Sequence, residues 1–84
     1  MAELSARFEA RAAEERAALA EALARNDREA LRDRAHKLVG IAGMFGFPAI
    51  GDAALALETA AEIGEDVQGP ARALDTLLAG ISER

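Results

Sequence analysis

Apolar residues recur along this chain at three- and four-residue spacings, and the recurrence is broken at three places. Leu4, Phe8, Ala12, Leu19, Ala22 and Leu23 form a helical stripe with charged residues around it, predicting a first helix from about Glu3 to Arg25. Asn26 is the expected cap of a second helix, with Glu29 three residues on completing a capping box. That helix should run to about Phe45, where Gly46 suits a left-handed terminator and Pro48 the first turn of the next helix. The third helix, about Pro48 to Ile63, sets Ile50, Ala54, Leu57 and Ala61 on one side, and Gly64 ends it. A fourth begins near Pro70 with Leu74, Leu77, Leu78 and Ile81 inward. Short connections favour antiparallel neighbours. The expectation is therefore an all-α fold, an antiparallel up-down four-helix bundle occupying residues 1–84 as one domain.

Composition sharpens this picture. The chain has 84 residues, about half of them apolar, and few are β-branched, which disfavours strands. So short a chain buries a limited share of its surface, and its folding margin is correspondingly modest. There is no cysteine, hence no disulfide framework and no thiolate metal site. The N-terminal MAELSARFEARAAEERA is charged throughout, unlike a signal peptide, and no apolar run is long enough to span a membrane. A cytoplasmic protein that does not bind membranes is expected. The net charge of −5 argues against nucleic acid as a partner. Arg25, Arg28, Arg32, Arg34 and Lys37 nevertheless cluster before and beside the single histidine, whereas Leu38 to Ala71 contains no Lys or Arg. A mildly basic rim around His36 on an acidic body is the expected surface.

The candidate chemistry lies in AHKLVGIAGMFG, residues 35–46. Gly40 and Gly43 each cost a helix about 1 kcal/mol relative to alanine. With about 100° per residue and His36 at zero, Gly40 falls near 40°, Gly43 near −20°, Arg32 near −40° and Val39 near −60°. Phe45, Leu38, Leu31 and Ala42 lie between about 180° and 240°, on the opposite side. His36 should project outward with both glycines on its own face. A lone histidine is commonly an ordinary surface residue, and helix glycines commonly serve close packing within the domain. These glycines face away from the core, so they read as space beside the imidazole for another molecule. A neutral imidazole nitrogen is a competent nucleophile towards phosphorus. Metal binding is disfavoured by the lack of a second His, and a Ser-His-Asp hydrolase by serines only at the ends, Ser5 and Ser82.

The segment AHKLVGIAGMFGF, followed by a helix carrying ALALE, resembles the histidine-containing phosphotransfer (HPt) family. That family shows A-H-x-L-K-G-x-A/S, a glycine shortly after, and a leucine-glutamate pair in the next helix. Ala35, His36, Leu38, Gly40, Ala42, Gly46, Leu57 and Glu58 fit. The resemblance implies that His36 accepts a phosphoryl group from a receiver-domain phospho-aspartate and passes it to another receiver in two-component signalling. It further implies receiver domains of response regulators and a hybrid histidine kinase as partners, with Mg²⁺ on the receiver and no cofactor in this chain. The protein would be a monomeric phosphocarrier, an enzyme partly by convention, without ATP-dependent kinase activity. The family's lysine three residues after the histidine is Val39 here. Lys37 and Arg32 are the candidates to hold the phosphoryl oxygens instead. Gly40 and Gly43 would admit the partner, with Val39 and Met44 as apolar docking contacts. Eighty-four residues are short for the family, so the accessory helix of some members is expected to be absent. Histidine-kinase dimerisation domains, the closest confusable class, follow the histidine with an acidic residue and soon a proline, whereas Lys37 and Gly40 follow here. Two rivals stand: a noncatalytic helical adaptor that binds a receiver or kinase without carrying phosphate, and, more remotely, a small metal-binding bundle.

Overall fold

A computed structural model describes the backbone of residues 2–82, with side chains from residue 7 onward. Four helices follow one another: α1 (Ala2–Ala24), α2 (Arg28–Phe45), α3 (Pro48–Ile63) and α4 (Gln68–Ser82). Each packs on its neighbours in the chain, and α4 returns to α1, closing an up-down bundle in which α4 lies diagonally across from α2. No helix among the described residues is long and apolar enough to cross a membrane.

The breaks in the apolar pattern are the turns. Gly46 and Gly64 both adopt the left-handed conformation, φ 77° and 81°, a geometry that favours glycine. The first turn departs from expectation. Asn26 is not the cap of α2; it carries φ 54° and ends α1, with its N–H bonded to Leu23 O and that of Asp27 to Ala22 O. Asp27 caps α2 instead, its carboxylate accepting from Ala30 N at 3.0 Å. The third position of α2 is thus Ala30, and the capping box with Glu29 does not form. Asparagine tolerates the left-handed region better than most residues, so the pair divides the work of one turn between two helix ends. Helix α4 also begins earlier than Pro70. Asp66 Oδ1 accepts from Gln68 N at 3.2 Å, and Pro70 sits in the first turn, where its missing N–H has no intrahelical partner to lose.

The core runs along the bundle axis and includes Phe8, Leu19, Leu31, Leu38, Leu57, Leu74 and Leu78, all at most 1% exposed. The Leu4 side chain lies outside the described residues. One inward expectation shifts. Leu77 is 36% exposed, because the buried face of α4 is centred between Ala71, Leu74, Leu78 and Ile81 and Leu77 falls about 80° from that centre. Ala60 is the more deeply buried alanine at the end of α3, 5% exposed, with Ala61 partly buried against the same core. Phe8 of α1 is stacked between Phe45 and Phe47, ring centroids 5.0 and 4.6 Å apart, and so clamps the α2–α3 turn onto α1. Within the α1 stripe, Glu15 fills a buried position. Arg11 Nε reaches its Oε2 at 3.1 Å, and Arg34 Nη1 at 3.5 Å, from the edge of the core.

Candidate functional site

His36 stands near the middle of α2 with its side chain 73% exposed. The helix buries the side opposite, through Leu31, Ala35, Leu38 and Ala42. Its Nδ1 lies 2.8 Å from Oε2 of Glu58, a side chain on α3 that is only 13% exposed. A carboxylate can only accept, so this hydrogen bond requires the proton on Nδ1. The neutral ring then carries its lone pair on Nε2, the nitrogen pointing away from α3. The contact fixes both tautomer and ring orientation, and it delivers negative charge to the ring's inner edge.

The glycines border this open ring. A methyl group placed at Gly40 or Gly43 would meet no atom within 4 Å outside its own helix, so neither is needed for packing inside the domain. By contrast, Gly51 on α3 backs onto Ala42, where a methyl would lie 3.6 Å from the alanine's Cβ. Small residues on the buried side let α2 and α3 approach closely, and that approach brings a glutamate within reach of the histidine. Gly40→Leu is expected to raise Tm by a few degrees, since helix propensity improves by about 0.8 kcal/mol. The same change should cut phosphoryl uptake from a receiver at least about tenfold by crowding the face. Equal uptake by variant and wild type would show that Gly40 is not an access device.

The cations of the expected basic rim are mostly engaged. Arg25 lies 3.6 Å from Asp27, Arg34 reaches Glu15, and Arg28 donates to the backbone carbonyls of Ala60 in the last turn of α3 and of Glu65 just beyond it. Arg32, the candidate on the histidine's own face, bonds Asp33 at 3.0 Å and lies 4.0 Å from Glu62. Lys37 is exposed and, among the described residues, has neither hydrogen bond nor ion pair. Met44 is 81% exposed and borders a groove of about 560 Å³ shared with Ala10, Arg11 and Ile41. Val39 sits at the edge of the open face. It is partly buried against the core, because α2 packs on α3 as well as α1 and its buried arc extends to the Val39 edge. Leu55 on α3 is a further exposed apolar residue of this face. It is 51% exposed, and the antiparallel pairing that sets His36 opposite Glu58 puts it near the level of Gly40. Among the described residues no group of three or more His, Asp or Glu side chains is disposed to hold a metal ion.

The match that decides the family spans the chain. A family model described as Hpt domain covers residues 3–84. The chain belongs to the Hpt domain family. No curated protein and no solved structure matches it. Hpt domains carry phosphate in two-component phosphorelays and interact there with receiver domains and kinases. Glu58 is the residue of this Hpt domain to which the sequence assigned no role. Its trace in the sequence was the leucine-glutamate pair, Leu57-Glu58, at the level of α3 that crosses α2 beside the histidine.

Proposed function

We propose that His36 is the phosphoryl acceptor of this Hpt domain, taking the group from a phospho-aspartate of one receiver and returning it to an aspartate of another. The observation that supports the reading is the 2.8 Å hydrogen bond from Nδ1 to Glu58 on a ring otherwise open to solvent. In the forward step the Nε2 lone pair attacks phosphorus, the P–O bond to the aspartyl carboxylate breaks, and an N–P bond forms. The proton stays on Nδ1, so the phosphorylated ring is cationic and lies against the Glu58 carboxylate. In the return step a receiver carboxylate attacks phosphorus and the neutral imidazole leaves. Such transfer depends on alignment and on neutralising spread charge. Lys37 is the more available cation for the phosphoryl oxygens because no described residue pairs with it; Arg32, on the histidine's own face, would first leave Asp33 and Glu62. The Mg²⁺ of the reaction belongs to the receiver, and the carrier acts as a cytoplasmic monomer.

The test is transfer from a panel of ³²P-labelled phospho-receivers to the untagged protein. Acid-labile, base-stable label on this chain is the expected result. A receiver that binds tightly while no label crosses would favour the adaptor, a reading that the absence of the usual lysine at Val39 keeps in view. Glu58→Ala is expected to fold and to lower the transfer rate about ten- to a hundredfold. That range corresponds to one hydrogen bond to a charged group, about 1.5–3 kcal/mol. Glu58→Gln, which still accepts through its carbonyl, should lose less. Rates unchanged in Glu58→Ala would remove Glu58 from the account.

A further inference from the structure

Three polar side chains of α2 stand one turn apart on the flank facing α3: Arg28, Arg32 and His36. Their partners lie on the C-terminal half of α3 and on Glu65, just beyond its end. Arg28 Nη2 donates to the carbonyl oxygens of Ala60 at 2.9 Å and Glu65 at 2.6 Å. Arg32 Nη1 lies 4.0 Å from Glu62, and His36 meets Glu58 at 2.8 Å. The histidine is thus the last step of a cation-to-acceptor seam that records how far α3 is slid along α2.

Arg28 sits at the first residue of α2, where the positive end of the helix dipole disfavours a cation. At the other side of the contact, α3 has no basic residue in its last turn, and its terminal carbonyls carry the negative end of the dipole. The arginine serves the neighbouring helix at some cost to its own. The apolar surface between the two helices gives limited purchase along the axis. Half the buried residues on each side are alanine: Ala35 and Ala42 on α2, Ala54 and Ala60 on α3. The Arg32 pair is half-exposed and long, and pairs of that kind contribute little. Arg28 is the strong pin. It lies eight residues from His36, about 12 Å along the helix, so it touches neither the ring nor any partner of the ring. A slip of half a helical turn, about 2.7 Å, would nonetheless stretch a 2.8 Å hydrogen bond lying across the axis to about 3.9 Å, out of range.

We propose that Arg28 is a positioning residue for His36: by holding the C-terminal turn of α3 it fixes the axial register that presents Glu58 to Nδ1. The proposal rests on His36 being the phosphoryl acceptor, and its test separates the two. Because His36 is the only histidine, two-bond ¹H–¹⁵N spectra of the untagged protein at about pH 8 report its tautomer without overlap. Wild type should show the proton on Nδ1. Arg28→Ala should show a mixture shifted towards Nε2–H, and its phosphoryl uptake from a labelled receiver should fall about tenfold. Arg28→Lys, which can still reach a carbonyl, should recover part of both and provides the reading if the alanine variant does not fold. Leu78→Ala, a core change on the diagonal helix, controls for lost stability and should leave the tautomer as in wild type. A wild-type tautomer and rate in both Arg28 variants, or an equal tautomer shift in Leu78→Ala, would overturn the positioning role while leaving the acceptor intact. A wild-type protein that takes no label would count instead against His36 itself.

Discussion

A His36→Gln variant is expected to take up no label from any phospho-receiver while keeping the fold and the receiver affinity of the wild type. The substitution removes the one nucleophilic nitrogen on the glycine-bordered face, and glutamine's amide has no lone pair of comparable reactivity. The fold should be untouched because the histidine side chain is 73% exposed and contributes no core contact. Glutamine can still offer an amide N–H to Glu58, whose side chain is only 13% exposed, so the carboxylate is not left without a donor. The effect should therefore be complete on transfer and small on stability, within about 0.5 kcal/mol, as for most surface substitutions. Melting temperature and receiver binding check the second half; labelled transfer checks the first. Label persisting on the variant would place the acceptor on another side chain.

Phe8→Ala should have the largest effect on the fold. Phe8 is fully buried and stacks on Phe45 and Phe47, so its removal unpacks α1 from both sides of the α2–α3 turn. Truncating a buried phenylalanine costs about 3–5 kcal/mol. A domain of this length has about 4–12 kcal/mol in all. Tm should fall by about 15–30 °C, on a scale of about 4–8 °C per kcal/mol for small domains. Thermal melts followed by circular dichroism measure it, and a fall of only a few degrees would mean that the aromatic stack is not what joins these three elements. Phosphoryl uptake measured well below the variant's Tm should survive, since His36 is about nine residues from the stack along α2, about 13 Å.

The turns at Gly46 and Gly64 were legible because a glycine followed by a proline or a polar link leaves few alternatives. The Asn26–Asp27 turn was ambiguous, since either residue can cap a helix. What decides is that one of them must also take the left-handed conformation that ends α1, and asparagine takes it. Leu77 misled for a different reason. Periodicity gives the side of a helix but not the width of its buried arc, which depends on how the neighbours are rotated. The site divides in the same way. That His36 points outward followed from α2 alone, through the angular positions of Leu31, Leu38, Gly40 and Gly43. Its bond to Glu58 depends on the register between two helices, as does the engagement of Arg28, Arg32 and Arg34. A single-chain pattern carries no such register, so Lys37 could not be told from its paired neighbours until the helices were placed.

The central claim is that the Glu58 contact leaves Nε2 of His36 as the nucleophile. The most direct measurement is to identify the phosphorylated nitrogen, by ³¹P and ¹⁵N spectroscopy of the chain after transfer from a receiver. A single N–P bond at Nε2, with the Nδ1 proton retained, is the predicted result. Phosphate on Nδ1, or on any residue other than His36, would contradict it.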